Sequence, residues 1–126
     1  PDSIFHYEIE NEDQRLLMDR SQIEQVLINL LKNAQEAVEN EEIPYIRLIT
    51  HLSSNKRDFI ISITDNGKGI LPEVMERIFV PFFTTKTNGS GIGLSICKQI
   101  VTLHGGTITA SSKPGDKTTF SVVLPA

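Results

Sequence analysis

The spacing of apolar residues along the chain predicts its helices. Between residues 19 and 39, apolar side chains recur at helical spacing, and Asp19 stands in the position of an N-cap. A short helix over residues 72–78 and a second long helix over residues 92–104 are predicted further on, the latter ended by Gly105. The stripe of the first helix that would face the core consists of Ile23, Val26, Leu27, Leu30, Ala34, Ala37 and Val38.

Five other segments have the composition and alternation of strands. They are residues 3–9, Tyr45–Leu52, Asp58–Asp65, residues 107–112 and residues 118–124. An irregular segment, VPFFTTKTNGSG at residues 80–91, separates the short helix from the second long one. The order βαββ(α)αββ contains consecutive strands with no helix between them. This mixed pattern predicts an α+β fold. We expect a two-layer α/β sandwich with a mixed, mostly antiparallel sheet packed on helices.

Length, charge and cysteine content narrow the class of protein. The chain has 126 residues, which is the size of one domain, so we treat residues 1–126 as a single unit. It begins at Pro1 rather than Met, and we expect it to be a piece of a longer protein. No apolar run reaches the length of a membrane span, and Cys97, the single cysteine, fits a reducing compartment. The net charge of −4 argues against a nucleic-acid surface but permits an anionic small ligand held by backbone dipoles.

The strand DFIISITD ends in a carboxylate on its buried side. Phe59, Ile61 and Ile63 share one face, and Asp65 continues the same parity. A buried carboxylate needs a specific partner, because an unpaired one is costly. Gly67 and Gly69 follow in DNGKGI. This pattern is compatible either with a ligand site or with a hairpin turn, for which Asn-Gly is a strong signal.

The first helix carries two asparagines on one side, Asn29 and Asn33. Asn33 falls at the edge of the apolar stripe, where its amide oxygen could bind a cation such as Mg²⁺. A hydrogen bond to neighbouring backbone is the alternative for a single asparagine. Later in the chain, GSGIGL leads into a helix start, where free N–H groups form an anion site, with Lys86 close before it. It matches neither the dinucleotide fingerprint nor the P-loop, and a surface loop remains the alternative.

Taken together, these segments resemble the ATP-binding domain of sensor histidine kinases, within the wider group of gyrase, chaperone, histidine-kinase and MutL ATPases. NLLKNA at residues 29–34 resembles the asparagine box, and DNGKGI at 65–70 the first glycine box. FVPFF at 79–83 resembles the phenylalanine box, and GSGIGLSI at 89–96 the second glycine box. TTFSVVLP at 118–125 resembles the closing strand. The four boxes occur in the order of that family and cover almost the whole chain.

The resemblance implies ATP and Mg²⁺ as cofactors. Asn33 would bind Mg²⁺, Asp65 would accept a hydrogen bond from the exocyclic amine of adenine, and residues 84–90 would form a flexible lid over ATP. Phe79 and Phe82 would anchor the base of the lid or pack in the core. The residues implied to bind the nucleotide are Asn33, Ala37, Asp65, Gly67, Gly69, Ile70, Lys86, Gly89, Ser90, Gly91, Ile92, Gly93, Leu94 and Thr118.

Three positions, Glu36, Ala37 and Lys117, depart from the family pattern, and Asn29 separates the chain from the ATP-hydrolysing relatives. Many members have a lysine and an aromatic residue where this chain has Glu36 and Ala37, so Lys86 would supply the charge for the phosphates. The third glycine box, usually Gly-Thr, is Lys117-Thr118 here. ATP-hydrolysing relatives carry a glutamate base at the position of Asn29, and an amide cannot take a proton at neutral pH.

The resemblance therefore implies an ATP-dependent protein-histidine kinase with no catalytic base inside this chain. The γ-phosphate would pass to a histidine on a dimerisation domain of the same protein and then to a response-regulator receiver domain. We expect a homodimeric parent, with this domain on the cytoplasmic side, no direct membrane contact and no nucleic-acid partner. An ATP-hydrolysing conformational switch and a nucleotide-binding module without catalysis are the alternatives.

Overall fold

The computed structural model describes residues 18–83, 93–113 and 115–126, together with the backbone of residues 4–9. Five strands form one sheet in the order β1-β2-β3-β5-β4. The outer pair β1 and β2 is parallel, whereas the other neighbouring pairs are antiparallel. The predicted α+β fold with a mixed, mostly antiparallel sheet is therefore confirmed. The elements are β1 (Ile4–Ile9), α1 (Arg20–Val38), β2 (Tyr45–Leu52), β3 (Asp58–Asp65), α2 (Pro72–Met75), α3 (Gly93–Leu103), β4 (Thr107–Lys113) and β5 (Lys117–Pro125).

Helices α1 and α3 pack together on one face of the sheet and enclose the core. Alternate residues of β3 and β5 are buried on that face, among them Ile63 opposite Phe120. The ring of Phe79 stands edge-on to Phe120, with ring centroids 6.4 Å apart. The opposite face carries hydroxyl pairs instead, such as Thr64 and Thr119 with their oxygens 2.8 Å apart. One apolar and one polar face are what a two-layer sandwich requires.

Helix α1 begins where the sequence predicts. The side chain of Asp19 accepts a hydrogen bond from the backbone N–H of Gln22, at 3.1 Å. The hydroxyl of Ser21 also donates to this carboxylate, and both hydrogen bonds lower the pKa of Asp19. The buried residues of α1 are Ile23, Val26, Leu30, Ala34 and Val38, all members of the predicted stripe.

The end of α3 is a Schellman motif joined to the start of α1. Gly105 has φ of +76°, and the N–H of Gly106 donates to the carbonyl of Val101 at 2.9 Å. His104 lies at the cap, with Nδ1 2.8 Å from the Ile100 carbonyl and Nε2 accepting from the Asp19 N–H at 2.9 Å. A carbonyl can only accept, so Nδ1 carries the proton. The imidazole therefore connects the two long helices.

The remaining boundaries differ slightly from the sequence predictions. Helix α2 ends at Met75 rather than at residue 78, because the chain continues in turns that bury Ile78. The β4–β5 ladder runs as far as the pair Lys113–Lys117, and β5 reaches Pro125 opposite Asp58. Each strand is thereby longer than predicted. Residues 3 and 92, predicted ends of β1 and α3, lie outside the described part of the chain.

Candidate functional site

Asp65 ends β3 on the helix-facing side of the sheet. Only 2% of its surface is exposed, and it lies between Ile46 of β2 and Thr118 of β5. Its Oδ1 accepts the N–H of Gly67 at 2.9 Å. Desolvation raises the pKa of Asp65, and the nearby charge of Glu41 adds to the rise, while the Gly67 hydrogen bond opposes it. A buried carboxylate with a raised pKa is a strong acceptor for a ligand that can donate.

Gly67 lies directly beneath the backbone of α1. A Cβ at this position would be 2.5 Å from the Ala37 carbonyl oxygen and 2.9 Å from Oδ1 of Asp65. Real side chains do not approach backbone so closely, so only glycine lets helix and loop lie together. The contact brings the last turns of α1, with Ala37 half-buried, against the end of β3. Asn33, also half-buried, lies one helical turn earlier on the same helix.

The loop after Asp65 is attached to β2 through Asn66. The side-chain oxygen of Asn66 accepts the Tyr45 N–H at 2.9 Å, and its Nδ2 donates to the Ile43 carbonyl at 2.8 Å. The backbone N–H of Asn66 donates to the Tyr45 carbonyl at 3.1 Å. Sequence reasoning treated this asparagine as half of a turn signal and missed its structural role.

On its other side the same loop is attached to the β4–β5 hairpin. Ile70 donates its N–H to Oγ of Ser112 at 2.7 Å, and Gly115 donates its N–H to the Lys68 carbonyl at 2.6 Å. Between these contacts Gly69 has φ of +82°, which favours glycine. The Ser112 hydroxyl also lies 2.9 Å from Oγ1 of Thr118, which is 3% exposed. Ser112 and Gly115 gave no signal in the sequence, because a serine and a turn glycine in a hairpin are ordinary.

Asn29 faces α3 rather than the loop. Its side chain hydrogen-bonds to the thiol of Cys97, whose Sγ lies 3.8 Å from the Val26 carbonyl. Cys97 is completely buried, and desolvation raises its pKa to about 11, although the Asn29 hydrogen bond opposes the rise. This cysteine is core filling, as its position in the helix indicates.

The structure describes only part of the predicted phosphate side. Gly93 begins α3, and a Cβ added there would have no described atom within 4 Å; Leu94 packs half-buried against the core. The predicted residues Lys86, Gly89, Ser90, Gly91 and Ile92, and the predicted lid at 84–90, lie outside the described residues. The predicted residues that meet near the end of β3 are Ala37, Asp65, Gly67, Gly69, Ile70 and Thr118.

Asn33 and Asp65 offer an amide oxygen and a carboxylate at this end of the sheet. Among residues 18–83, 93–113 and 115–126, no group of three or more His, Cys, Asp or Glu side chains could hold a metal. Mg²⁺ in nucleotide sites is commonly bound by one or two protein oxygens plus phosphates. A single amide oxygen, such as that of Asn33, suits this arrangement, and the carboxylate of Asp65 suits an amine donor.

A shallow groove of about 380 Å³ lies on the outer side of α3. Its lining residues are Phe79, Pro81, Ser95, Lys98, Gln99, Thr102 and Leu103. Leu103 is 71% exposed, and the neighbouring Phe82 is 78% exposed with φ of +68°. Of the two predicted lid anchors, Phe79 packs partly buried against the core, edge-on to Phe120, whereas Phe82 is exposed.

Comparison with known proteins gives consistent results in sequence and structure. A family model described as "Histidine kinase-, DNA gyrase B-, and HSP90-like ATPase" matches residues 18–126. The signal transduction histidine-protein kinase AtoS of Escherichia coli is 40% identical over 121 residues, which cover 96% of this chain and 19% of AtoS. The C4-dicarboxylate transport sensor protein DctB of Rhizobium meliloti is 44% identical over 108 residues, covering 86% of this chain and 17% of DctB.

Solved structures agree with these relatives. The catalytic domain of the histidine kinase ThkA has a TM-score of 0.84 at 38% identity, covering 97% of this chain and 79% of that structure. The mycobacterial sensor histidine kinase MprB has a TM-score of 0.83 at 26% identity, covering 97% and 82%. This chain spans only 19% and 17% of the length of AtoS and DctB. No helix in the described part of the chain is long and apolar enough to cross a membrane.

Proposed function

Because the chain belongs to the family of histidine kinase-, DNA gyrase B- and HSP90-like ATPases, we propose that it binds Mg·ATP and donates the γ-phosphate to a histidine of a separate domain. The observation that carries this proposal is the buried carboxylate of Asp65 beside Gly67. A carboxylate removed from water gains most from a partner that donates a hydrogen bond. The exocyclic amine of adenine is such a donor.

We place the adenine against the loop from Asp65 to Ile70 and the phosphates toward the start of α3. Gly67 lets this loop lie directly against the backbone of α1, which fixes the loop beside Asp65. Helix α3 begins at Gly93, and the positive end of a helix dipole favours an anion. Lys86, Gly89, Ser90, Gly91 and Ile92 complete the proposed phosphate side, and Leu94 packs behind it. Asn33 would hold Mg²⁺, which neutralises phosphate charge when bound.

Transfer to a protein group is favoured over hydrolysis by the residue at position 29. The amide of Asn29 cannot act as a general base, and it is already hydrogen-bonded to the buried thiol of Cys97. The work left to the domain is positioning and charge neutralisation, which is how phosphoryl transfer is mostly catalysed.

The acceptor histidine belongs to another domain in this proposal. His104 is held between the Asp19 N–H and the Ile100 carbonyl, so its imidazole is occupied by the structure. His51 lies within β2, and its strand neighbours are not those of a phosphoacceptor segment. The relatives AtoS and DctB are each about five times longer than this chain, which leaves room for such a domain.

In this proposal the domain that carries the acceptor histidine docks on the outer side of α3. The exposed side chain of Leu103 lines the groove with Phe79, and the exposed Phe82 follows the lining residue Pro81 in the chain. Exposed apolar surface of this kind is typical of protein contacts. The parent protein would be a homodimer that relays the phosphate to a response-regulator receiver domain, with this domain on the cytoplasmic side.

Calorimetry with ATP and Mg²⁺ tests the binding step. Wild type should bind ATP, and Asp65→Asn should lose recognition of adenine while its thermal unfolding shows an intact fold. Asp58→Asn is the matched control, because Asp58 begins the same strand, about 23 Å from Asp65. The proposal is wrong if wild type binds no ATP at millimolar concentration or if Asp65→Asn binds it unchanged.

A transfer assay separates kinase from hydrolase. Labelled γ-phosphate should appear on a histidine-containing helical domain added in trans, whereas the domain alone should release little inorganic phosphate. Turnover well above background by the isolated domain would support the ATP-hydrolysing switch instead.

A further inference from the structure

Ser112 lies between the loop from Asp65 to Ile70, called the glycine loop below, and strand β5, which pairs with Asp65. Its Oγ accepts the Ile70 N–H at 2.7 Å and lies 3.1 Å from the Lys117 carbonyl and 2.9 Å from Oγ1 of Thr118. Three contacts on one hydroxyl restrict where its single proton can be.

Only one arrangement of protons makes all three contacts hydrogen bonds. The Lys117 carbonyl can only accept, so the Ser112 hydroxyl must donate to it. Oγ of Ser112 then accepts from both the Ile70 N–H and the Thr118 hydroxyl. If Ser112 donated to Thr118 instead, its contact with the Lys117 carbonyl would have no proton. The Thr118 hydroxyl therefore points its proton toward Ser112 and turns its free lone pair elsewhere.

Thr118 lies directly opposite Asp65 in the β3–β5 ladder, and both are buried on the helix-facing side. Directly paired residues on one face of a sheet have Cβ atoms about 5 Å apart. With its proton given to Ser112, Thr118 offers an acceptor next to the Asp65 carboxylate. Two adjacent acceptors favour a ligand with an amino group and oppose a carbonyl oxygen in the same place.

We propose that Ser112 is a positioning residue for base selection: it holds the glycine loop through Ile70 and orients the Thr118 hydroxyl as an acceptor, so that the site selects a 6-aminopurine over a 6-oxopurine. This inference rests on the proposed binding of ATP at Asp65. Ser112 acts through Ile70 and Thr118.

The test compares ATP with ITP, whose base carries an oxygen in place of the amine. Dissociation constants for both are measured by calorimetry with Mg²⁺ for wild type, Ser112→Ala, Ser112→Thr and Ser111→Ala. In Ser112→Ala the Thr118 hydroxyl is free to rotate and donate to the oxygen of ITP. The ratio of the ITP to the ATP dissociation constant should therefore fall by about fivefold, the usual effect of one hydrogen bond.

Two variants act as controls. Ser112→Thr keeps a hydroxyl and should keep the wild-type ratio. Ser111 is exposed on the opposite side of the same strand, and Ser111→Ala should not change either constant. A residue that only stabilises the hairpin would weaken both nucleotides alike and leave the ratio unchanged. If Ser112→Ala does not fold, Ser112→Cys serves in its place, because a thiol is a weak donor and acceptor.

The outcomes distinguish this inference from the proposed function. Absence of ATP binding by wild type would overturn both. ATP binding by wild type together with an unchanged ratio in Ser112→Ala would overturn the role of Ser112 alone. Faster hydrogen exchange of the Ile70 amide in Ser112→Ala, together with the lower ratio, would support it.

Discussion

Substitution of Gly67 by alanine would separate the effect of the helix–loop contact from that of the fold as a whole. The added Cβ would lie 2.5 Å from the Ala37 carbonyl oxygen and 2.9 Å from the carbonyl carbon, both atoms of the α1 backbone. Helix backbone cannot rotate away as a flexible side chain can, so helix and loop must separate by about 1 Å to restore ordinary contact. The same movement would disturb the Gly67 N–H bond to Oδ1 of Asp65.

Overpacking of this kind costs about 1–3 kcal/mol in the free energy of unfolding. For a domain of this size, we expect the melting temperature to fall by about 4–12 °C. Thermal unfolding followed by circular dichroism measures the change, and calorimetry should find weaker ATP binding, because the loop moves away from Asp65.

Gly93→Ala is the matched control for Gly67→Ala. A Cβ at Gly93 would have no described atom within 4 Å, and this residue begins a helix, where alanine is favoured. Its melting temperature should stay within about 2 °C of wild type or rise. A Gly67→Ala protein that melts like wild type would show that the helix and the loop are not in rigid contact.

Three further predictions concern buried groups. Thr50 is buried, and its hydroxyl has no hydrogen-bond partner among the described residues. Thr50→Val should therefore raise the unfolding free energy, measured by urea titration, by about 1 kcal/mol. The control Thr64→Val breaks the hydroxyl pair with Thr119 and should not raise it. Folding raises the pKa of Asp65, so the native state binds this proton more tightly than the unfolded state, and stability falls as pH rises from the ordinary aspartate pKa of about 3.9 to the raised native one. The unfolding free energy of Asp65→Asn minus that of wild type should therefore increase across that pH range. A constant difference would contradict a raised native pKa of Asp65. Cys97 should resist Ellman's reagent at neutral pH until the protein unfolds, because it is fully buried. In addition, a thiol of pKa about 11 is only roughly one part in ten thousand ionised at pH 7. Rapid labelling of the folded protein would argue against this burial.

The amino-acid sequence by itself determined those features that depend on neighbours along the chain. The bounds of β2 and β3 are those predicted, since both segments are rich in apolar and β-branched residues and the polar turn SSNK separates them. Asp19 caps α1 and Gly105 ends α3, because capping depends on residues within one turn of the helix. The burial of Asp65 followed from its parity with Ile61 and Ile63.

The tertiary structure alone decided which distant residues meet. The bond from Ile70 to Ser112 joins positions 42 residues apart, and that from Asp19 to His104 joins positions 85 apart. Each depends on which strands and helices become neighbours, and hydrophobic periodicity carries no record of that choice. Phe79 and Phe82 illustrate the same limit, since two equally apolar rings three residues apart differ in burial. Local pattern thus placed a carboxylate at the end of a buried strand, whereas the packing of hairpin, loop and helix decided what surrounds it.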